Sequence, residues 1–132
     1  MPTYYRRMTS DLSAARVAVI SVPVSDPGAA KDFYVDRLGF ELVRDDESIP
    51  GIHWVQVRPQ GGDVSITLVN WFESMPAGSL RGLVLVVDDL DATYHDLEAA
   101  AVEFESPPQQ RPWATEAVMK DPDGNEFVLQ QA

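Results

Sequence analysis

Apolar residues recur along the chain in two rounds of the same order: a strand, a helix and then further strands. In the first round the run VAVISVPV at 17–24 predicts a mostly buried strand, and Pro23 indicates that this strand lies at an edge or contains a bulge. Ser25 or Asp26 then caps a helix that ends just before Gly39. Apolar residues on one side of this helix predict that it packs against a sheet: Ala30, Phe33, Tyr34 and Leu38.

Three further strands complete the first round, and they are predicted at 40–44, 52–58 and 64–70. The second round begins with a strand at 83–87 and a helix that starts after Asp88 or Asp89. Its predicted buried stripe consists of Leu90, Tyr94, Leu97 and Ala101. The remaining predicted elements are a short strand at 102–105, a loop with Pro107, Pro108 and Pro112, and a hairpin of 114–120 and 126–130.

The two rounds align when the chain is shifted by 62 residues, which places Val22 on Val84 and Asp26 on Asp88. Such an internal repeat indicates two strand-helix-strand-strand-strand units that share one core. The predicted organisation is an N-terminal arm at 1–16 followed by a single domain at 17–132. This domain consists of a first module at about 17–72 and a second module at about 80–130. A single ferredoxin-like domain is the main alternative, but the repeat length and strand number favour paired modules.

The segment DPDGN at 121–125 is rich in turn-forming residues and leads into an apolar strand at 127–129. Together with VSDPGAAKDFYVDRLGFELV at 24–43 and VVDDLDATYHDLEAA at 86–100, it resembles the vicinal oxygen chelate superfamily. That superfamily includes glyoxalases, extradiol dioxygenases and bleomycin-resistance proteins. The resemblance covers 17–130 and implies an α+β fold, in which two βαβββ modules form curved mixed sheets that enclose one cleft.

Metal-using members of the superfamily bind their ion with His, Gln or Glu on the first and last strands of the modules. Matching the motifs places these four positions at Val19, about Thr67, Gly82 and Val128. None of these residues has a carboxylate or an imidazole, which are the donors that such a metal needs. The resemblance therefore implies a member without the family metal, and no cofactor is expected.

Two histidines are the remaining candidates for chemistry. His95 lies near Asp91 and Glu98 on the second helix, which is more typical of a solvated helix face than of a metal site. His53 lies in the predicted strand 52–58, and alternation puts it with Val55 and Val57, opposite the face that carries Trp54 and Gln56. The sequence leaves open which face lines the cleft. On the cleft side, His53 would be a candidate general base; elsewhere it would be a structural residue.

The composition and net charge of the chain limit the kinds of molecule that it is expected to bind. The chain has 132 residues, 45% of them hydrophobic, and no cysteine, which excludes disulfides and thiolate metal sites. No apolar run approaches the length of a membrane span, and a cytoplasmic protein is expected. The net charge of −11 opposes binding to nucleic acid and to anionic membranes, and is compatible with a cationic ligand or simply with high solubility.

Aromatic side chains near the expected cleft suggest what it binds. Trp54, Trp71 and Trp113 lie on or beside predicted cleft strands, where they would stack on a planar or cationic ligand, or else close the ends of the core. Polar contacts would come from neighbouring strand residues. The predicted ligand-binding residues are Ser21, His53, Gln56, Thr67, Trp71 and Trp113, and His53 is also the candidate catalytic residue.

Three functions follow from these features. The leading hypothesis is a metal-independent small-molecule-binding protein of the kind that sequesters antibiotics. The first alternative is a glyoxalase-, epimerase- or lyase-type enzyme with a rearranged site, which would use His53 with a carboxylate such as Glu126. The second is a dimeric regulatory or interaction module. The resemblance also implies a homodimer. Tyr4, Tyr5 and Met8 of the N-terminal arm would help to cover the partner, or else the arm is a disordered tail.

Overall fold

The computed structural model describes residues 11–132, so the predicted contacts of Tyr4, Tyr5 and Met8 lie outside the described residues. The elements in chain order are β1 (Val19–Pro23), α1 (Pro27–Asp32), a π-helical turn (Phe33–Arg37), β2 (Glu41–Asp46), β3 (Trp54–Arg58), β4 (Ser65–Val69), β5 (Leu83–Val87), α2 (Leu90–Ala99), β6 (Glu103–Gln110), β7 (Thr115–Lys120) and β8 (Glu126–Gln131).

Two four-stranded mixed sheets with the same topology form the fold. Sheet one has the order β1-β4-β3-β2 and sheet two has the order β5-β8-β7-β6. In each sheet the first strand runs parallel to its neighbour, and the other pairs are antiparallel. The predicted α+β fold with two βαβββ modules is therefore confirmed, and a single ferredoxin-like sheet is excluded.

The first helix begins as predicted but changes geometry halfway. The Asp26 side chain accepts hydrogen bonds from the backbone N–H groups of Gly28 and Ala29, at 3.0 and 3.3 Å, which satisfies two free donors of the first turn. From Phe33 the chain widens into a π-helical turn, whose Leu38 N–H donates to the Phe33 carbonyl. This turn leaves the aromatic rings of Phe33 and Tyr34 buried against the sheet.

The second helix ends with a Schellman motif at an alanine. Asp89 caps its start, and Ala101 follows its end with a φ of 65°, a left-handed conformation that usually requires glycine. Val102 N–H donates to the Leu97 carbonyl, and Ala101 N–H donates to the Glu98 carbonyl. The predicted burial of Ala101 is wrong because this turn points it to solvent and buries Val102 instead. At six and ten residues, neither α-helix of the described part of the chain is long enough to cross a membrane.

The prolines at 107 and 108 lie within strand β6, where the sequence predicted a loop. β6 continues to Gln110 because it is the outer strand of sheet two, and an outer strand needs hydrogen bonds on only one side. Its pairing with β7 shifts register between Phe104 and Ser106 and again between Ser106 and Gln109. These irregularities accommodate residues that cannot donate a backbone hydrogen bond.

Each sheet has a helix-covered face and an open face. In sheet one the helix-covered face carries the buried side chains of Val22, Val55, Val57, Ile66 and Leu68, which join those of α1 and the π-helical turn. In sheet two it carries Ala117, Met119, Phe127 and Leu129. Burial of each large apolar side chain stabilises the fold by roughly 1.5–3 kcal/mol. The open faces carry both buried side chains, such as Thr67 at 1% exposure, and exposed ones, such as Val86 at 62%.

A buried polar cluster, the module clamp of Tyr34, Asp121 and Asn125, joins the two modules. The Tyr34 hydroxyl donates to Asp121 Oδ2 at 2.6 Å. Asn125 Nδ2 donates to the Pro23 carbonyl at 2.7 Å and to Asp121 Oδ2 at 2.8 Å, while Asn125 Oδ1 accepts from Leu80 N–H at 3.0 Å. All three clamp residues are almost fully buried. Burial, and then the Asp121 carboxylate, raises the pKa of the Tyr34 phenol far above its ordinary value, so it stays a donor.

The DPDGN segment is therefore a structural junction. Its Asp121 Oδ1 also accepts from the backbone N–H groups of Asp123 and Asn125, which holds the turn closed. Gly78 lies directly over this turn with a φ of 82°, and a Cβ added there would lie 2.0 Å from the Asp123 carbonyl oxygen. The motif that carries the family resemblance thus acts through packing and hydrogen bonds within the protein.

Candidate functional site

A row of polar side chains crosses the open face of sheet one. Thr67 of β4 is in register with Ser21 of β1 on one side and with Gln56 of β3 on the other. Because residues in register point to the same side of a sheet, these three side chains share the face that α1 does not cover. The structure therefore brings together three of the predicted ligand-binding residues.

An aromatic column lies at one end of this polar row and consists of Trp54, Trp71 and Phe72. The rings of Trp54 and Trp71 are stacked, with centroids 5.9 Å apart and an interplanar angle of 22°. Phe72 continues the column at 6.0 Å from Trp71 and is 46% exposed. Trp54 Nε1 donates to Gln56 Oε1 at 3.1 Å, which links the column to the polar row. A partly exposed stack of this kind can bind a flat ring.

Charges on the open face of sheet one are paired. Arg44 lies in register with Gln56, and its guanidinium is 5.6 Å from the centroid of the Trp54 ring. The same guanidinium contacts the Asp46 carboxylate at 2.8 Å, and Arg58 pairs with Glu41. Hydrogen bonds from Ser48, and then from Arg44, lower the pKa of Asp46, so this pair is ionised at neutral pH. The acidity of the whole chain is not concentrated here.

Thr67 has a buried hydroxyl without a hydrogen-bond partner among the described residues. Thr67 is 1% exposed. Among the described residues, its Oγ1 is the buried side-chain nitrogen or oxygen atom that lacks a hydrogen-bond partner. An unmet buried hydrogen bond costs about 1–3 kcal/mol. Thr67 therefore carries a local energetic cost on the face that bears the aromatic column.

His53 lies on the other side of sheet one, next to the start of α1. Its Nε2 is 2.6 Å from Asp45 Oδ1, and the second oxygen of Asp45 contacts Lys31 Nζ at 2.6 Å. The Lys31 ammonium, and then His53, lowers the pKa of Asp45. A Cβ on Gly28 would come within 2.9 Å of the imidazole, which shows how closely the ring packs on the helix. The structure does not bring His53 together with the polar row.

Trp113 also lies apart from the aromatic column. It follows β6 in an exposed turn, is 71% exposed, and donates from Nε1 to Glu116 Oε1 at 3.0 Å. Sequence reasoning missed Arg44 and Phe72. Alternation along β2 could have placed Arg44 on the face of Gln56, but the register shift between Leu42 and Arg44 breaks that pattern.

The four positions that correspond to family metal ligands do not offer a fitting donor set. Val19 and Thr67 belong to the open face of sheet one, Val128 is in register with Val84 in sheet two, and Gly82 precedes β5. Two aliphatic side chains, a glycine and one hydroxyl cannot bind a divalent ion in fixed geometry. Within residues 11–132, no three His, Asp or Glu side chains are grouped so that they could hold one elsewhere.

A separate apolar cavity of about 330 Å³ lies where the two modules meet. It is lined by the end of the first helical segment, by β5 and by α2, including Leu38, Phe40, Leu85, Val87 and Leu97. On the open face of sheet two next to it, Val84 is 45% exposed and Val86 is 62% exposed. These valines form an apolar strip that residues 11–132 leave partly exposed.

Several known proteins are similar to this chain in sequence or in structure. TnmS3, an antibiotic binding protein from Streptomyces sp. CB03234, has 45% identity and a TM-score of 0.84 over 92% of this chain and 98% of that chain. A glyoxalase/bleomycin resistance protein from the same organism has 47% identity and a TM-score of 0.78 over 88% of this chain and 100% of that chain. The uncharacterized protein YetH of Bacillus subtilis (strain 168) is 31% identical over 119 residues, which cover 88% of this chain and 98% of YetH.

A family model agrees with these similarities and with the paired modules. It matches residues 16–129, which include every strand and helix except the last two residues of β8. The chain belongs to the Glyoxalase/Bleomycin resistance protein/Dioxygenase superfamily.

Proposed function

We propose that this chain is a small-molecule-binding protein that sequesters its ligand without a metal ion, on the open face of sheet one. The observation that carries the proposal is the stack of Trp54 on Trp71, which borders the polar row of Ser21, Gln56 and Thr67. Flat aromatic surface beside a few polar groups is the usual composition of a small-molecule site. Stacking supplies affinity, and the polar row supplies orientation.

Metal independence is supported by the chemistry of the residues at the four family ligand positions. Val19, Gly82 and Val128 have no donor atom in their side chains, and Thr67 has one neutral hydroxyl. Binding through direct contacts needs no such donors. The similarity to TnmS3, which is named as an antibiotic binding protein, supports an antibiotic as the class of ligand.

A homodimer forms part of this proposal. On the open faces of the part of the chain that the structure describes, Val19, Val84 and Val86 are each more than 40% exposed. Exposed apolar strips of this kind are unfavourable in water and are typical of an interface. In a two-fold arrangement, sheet two of one protomer covers sheet one of the other, and the ligand lies between them.

The carboxylate beside His53 is Asp45, 2.6 Å from Nε2, and the geometry does not support the pairing with Glu126 in the alternative of a rearranged enzyme. That alternative pairs His53 with Glu126, but His53 packs beside α1 in module one and Glu126 pairs with Arg81 in module two. A general base has to lie within hydrogen-bond reach of the proton that it removes, and the two groups do not share a cleft in this chain.

The proposal is tested by equilibrium dialysis of the purified protein against a panel of aromatic antibiotics, before and after treatment with a chelator. We expect saturable binding of at least one member, unchanged by the chelator, and recovery of the ligand without chemical alteration. Loss of binding on chelation would contradict metal independence. Conversion of the ligand would indicate an enzyme, and failure of the folded protein to bind any member would contradict the proposed function.

A further inference from the structure

We propose that the ligand of the open face of sheet one is a flat aromatic molecule without positive charge, and that a hydrogen-bonding group on its edge binds Thr67. This inference rests on the proposed function and deepens it. It starts from two features of the site, the cation that already lies over Trp54 and the unpaired hydroxyl in the polar row.

Arg44 occupies the position that a cationic ligand would take. A cation binds best over the face of a tryptophan ring, within about 6 Å of its centroid. The Arg44 guanidinium lies 5.6 Å from the Trp54 centroid and is held there by Asp46 at 2.8 Å. A ligand cation would therefore have to displace Arg44 from the face of the Trp54 ring. The exposed part of the column at Trp71 and Phe72 stays open to a neutral or anionic ring.

Thr67 supplies the polar contact. Its hydroxyl can donate one hydrogen bond and accept others, and the described residues satisfy none of these. A hydroxyl or carbonyl on the ligand would complete this bond and remove the cost of leaving it unmade. A carbon isostere of that group would leave Thr67 unpaired, which is the basis of strong discrimination in polar sites.

The positions of the aromatic column and of Thr67 determine how a bound ring is oriented. Thr67 is in register with Gln56, and Gln56 Oε1 accepts from Trp54 Nε1 at 3.1 Å. A ring that stacks on the column therefore presents its edge to the polar row. Thr67 is 1% exposed in the free chain, and Gln56 is its half-buried neighbour in register, so we expect the Gln56 side chain to rotate aside as the ligand binds. Ligand binding exchanges the bond between Trp54 and Gln56 for one to Thr67.

Three probes with the same ring shape separate these requirements: 9-phenanthrol, 9-methylphenanthrene and the 5-methylphenanthridinium cation. Equilibrium dialysis of each probe against the full-length protein measures its affinity. We expect 9-phenanthrol to bind about tenfold more tightly than 9-methylphenanthrene, since one hydrogen bond is worth about that factor, and we expect the cation to bind more weakly than 9-methylphenanthrene. If the cation binds as tightly as 9-methylphenanthrene, the charge inference is wrong. If none of the probes binds to folded protein, the proposed site itself fails.

The variants Thr67→Val and Thr67→Ser isolate the hydroxyl. We expect Thr67→Val to lower the affinity for 9-phenanthrol about tenfold, to leave 9-methylphenanthrene unchanged, and to raise or preserve the thermal midpoint of the free protein. Thr67→Ser is expected to keep the preference for 9-phenanthrol. A Thr67→Val protein that still prefers 9-phenanthrol would overturn the assignment of Thr67 while leaving the proposed function intact. Equal weakening of both probes would do the same, because it would indicate a packing effect.

Discussion

Tyr34 and Asp121 are 87 residues apart in the chain and form a buried hydrogen bond of 2.6 Å. The spacing of the first helix predicts that Tyr34 is buried, but a spacing pattern gives no partner for its hydroxyl. The same limit applies to His53, because both faces of its strand carry apolar residues and alternation alone cannot assign one to the helix.

Replacement of Tyr34 by phenylalanine tests the module clamp. We expect Tyr34→Phe to lower the free energy of unfolding by about 1–3 kcal/mol, because Asp121 loses a buried donor. Tyr94→Phe is the matched control, since the Tyr94 hydroxyl is bonded to Glu98 on the surface, and it should change stability much less. Urea unfolding of the three proteins makes the comparison. Equal losses for the two variants would contradict the clamp.

The same tyrosine gives an alkaline pH dependence. Since the folded pKa of Tyr34 is raised, its contribution to stability is complete below the unfolded value of about 10 and declines as the pH rises above it. We therefore expect the wild-type protein to lose stability above about pH 10 and Tyr34→Phe to show a shallower decline. Unfolding midpoints measured from about pH 8 to 11 check this. Parallel curves would show that Tyr34 ionises in the folded protein as in the unfolded one.

Secondary-structure elements were largely predictable where local chemistry decides them. Asp26 and Asp89 start helices because a carboxylate there satisfies free backbone donors, and both caps are present. The sheet order follows from a repeat that the sequence itself displays. The strand through Pro107 and Pro108 was not predictable, because the outer position that tolerates proline is a property of the assembled sheet. The π-helical turn at Phe33–Arg37 likewise has no local signal.

The end of α2 offers a stabilising substitution. Ala101 has a φ of 65°, which costs free energy for a residue with a Cβ, so Ala101→Gly is expected to raise the free energy of unfolding by about 1 kcal/mol. Ala99→Gly, within the last turn of the same helix, should lower it by a similar amount. Thermal or urea unfolding measures both. A loss of stability in Ala101→Gly would show that the left-handed turn does not form.

At the scale of the whole molecule, the family and the paired modules were accessible from sequence, whereas the composition of the site was only partly so. Ser21, Gln56 and Thr67 share one face because three strands are in register. The net charge is compatible with a cationic ligand or simply with high solubility, but the side chains of the open face form balanced pairs, as with Arg44 and Asp46. Overall charge describes the whole surface, and a site is defined by its own neighbours.

A substitution that introduces a charge on the open face of sheet two tests the proposed homodimer. Val84→Glu places a carboxylate in the apolar strip. We expect light scattering to report a monomer of 14.6 kDa for this variant and a dimer of twice that mass for the wild-type protein. Leu42→Glu is the control, because Leu42 is equally exposed at 45% but belongs to the opposite side of its sheet. A monomeric wild-type protein would contradict the dimer. A dimeric chain that starts at Ser13 would show that the N-terminal arm is dispensable.

The central claim, that the open face of sheet one binds an aromatic small molecule, is tested most directly by comparing two tryptophans. Equilibrium dialysis of 9-phenanthrol against Trp71→Ala and Trp113→Ala separates the column from the exposed turn. Removal of a stacking ring is expected to weaken binding about tenfold or more in Trp71→Ala. Trp113→Ala, which alters a side chain that is 71% exposed, should bind like the wild-type protein. Wild-type affinity in Trp71→Ala, or a larger loss in Trp113→Ala, would contradict the placement of the site.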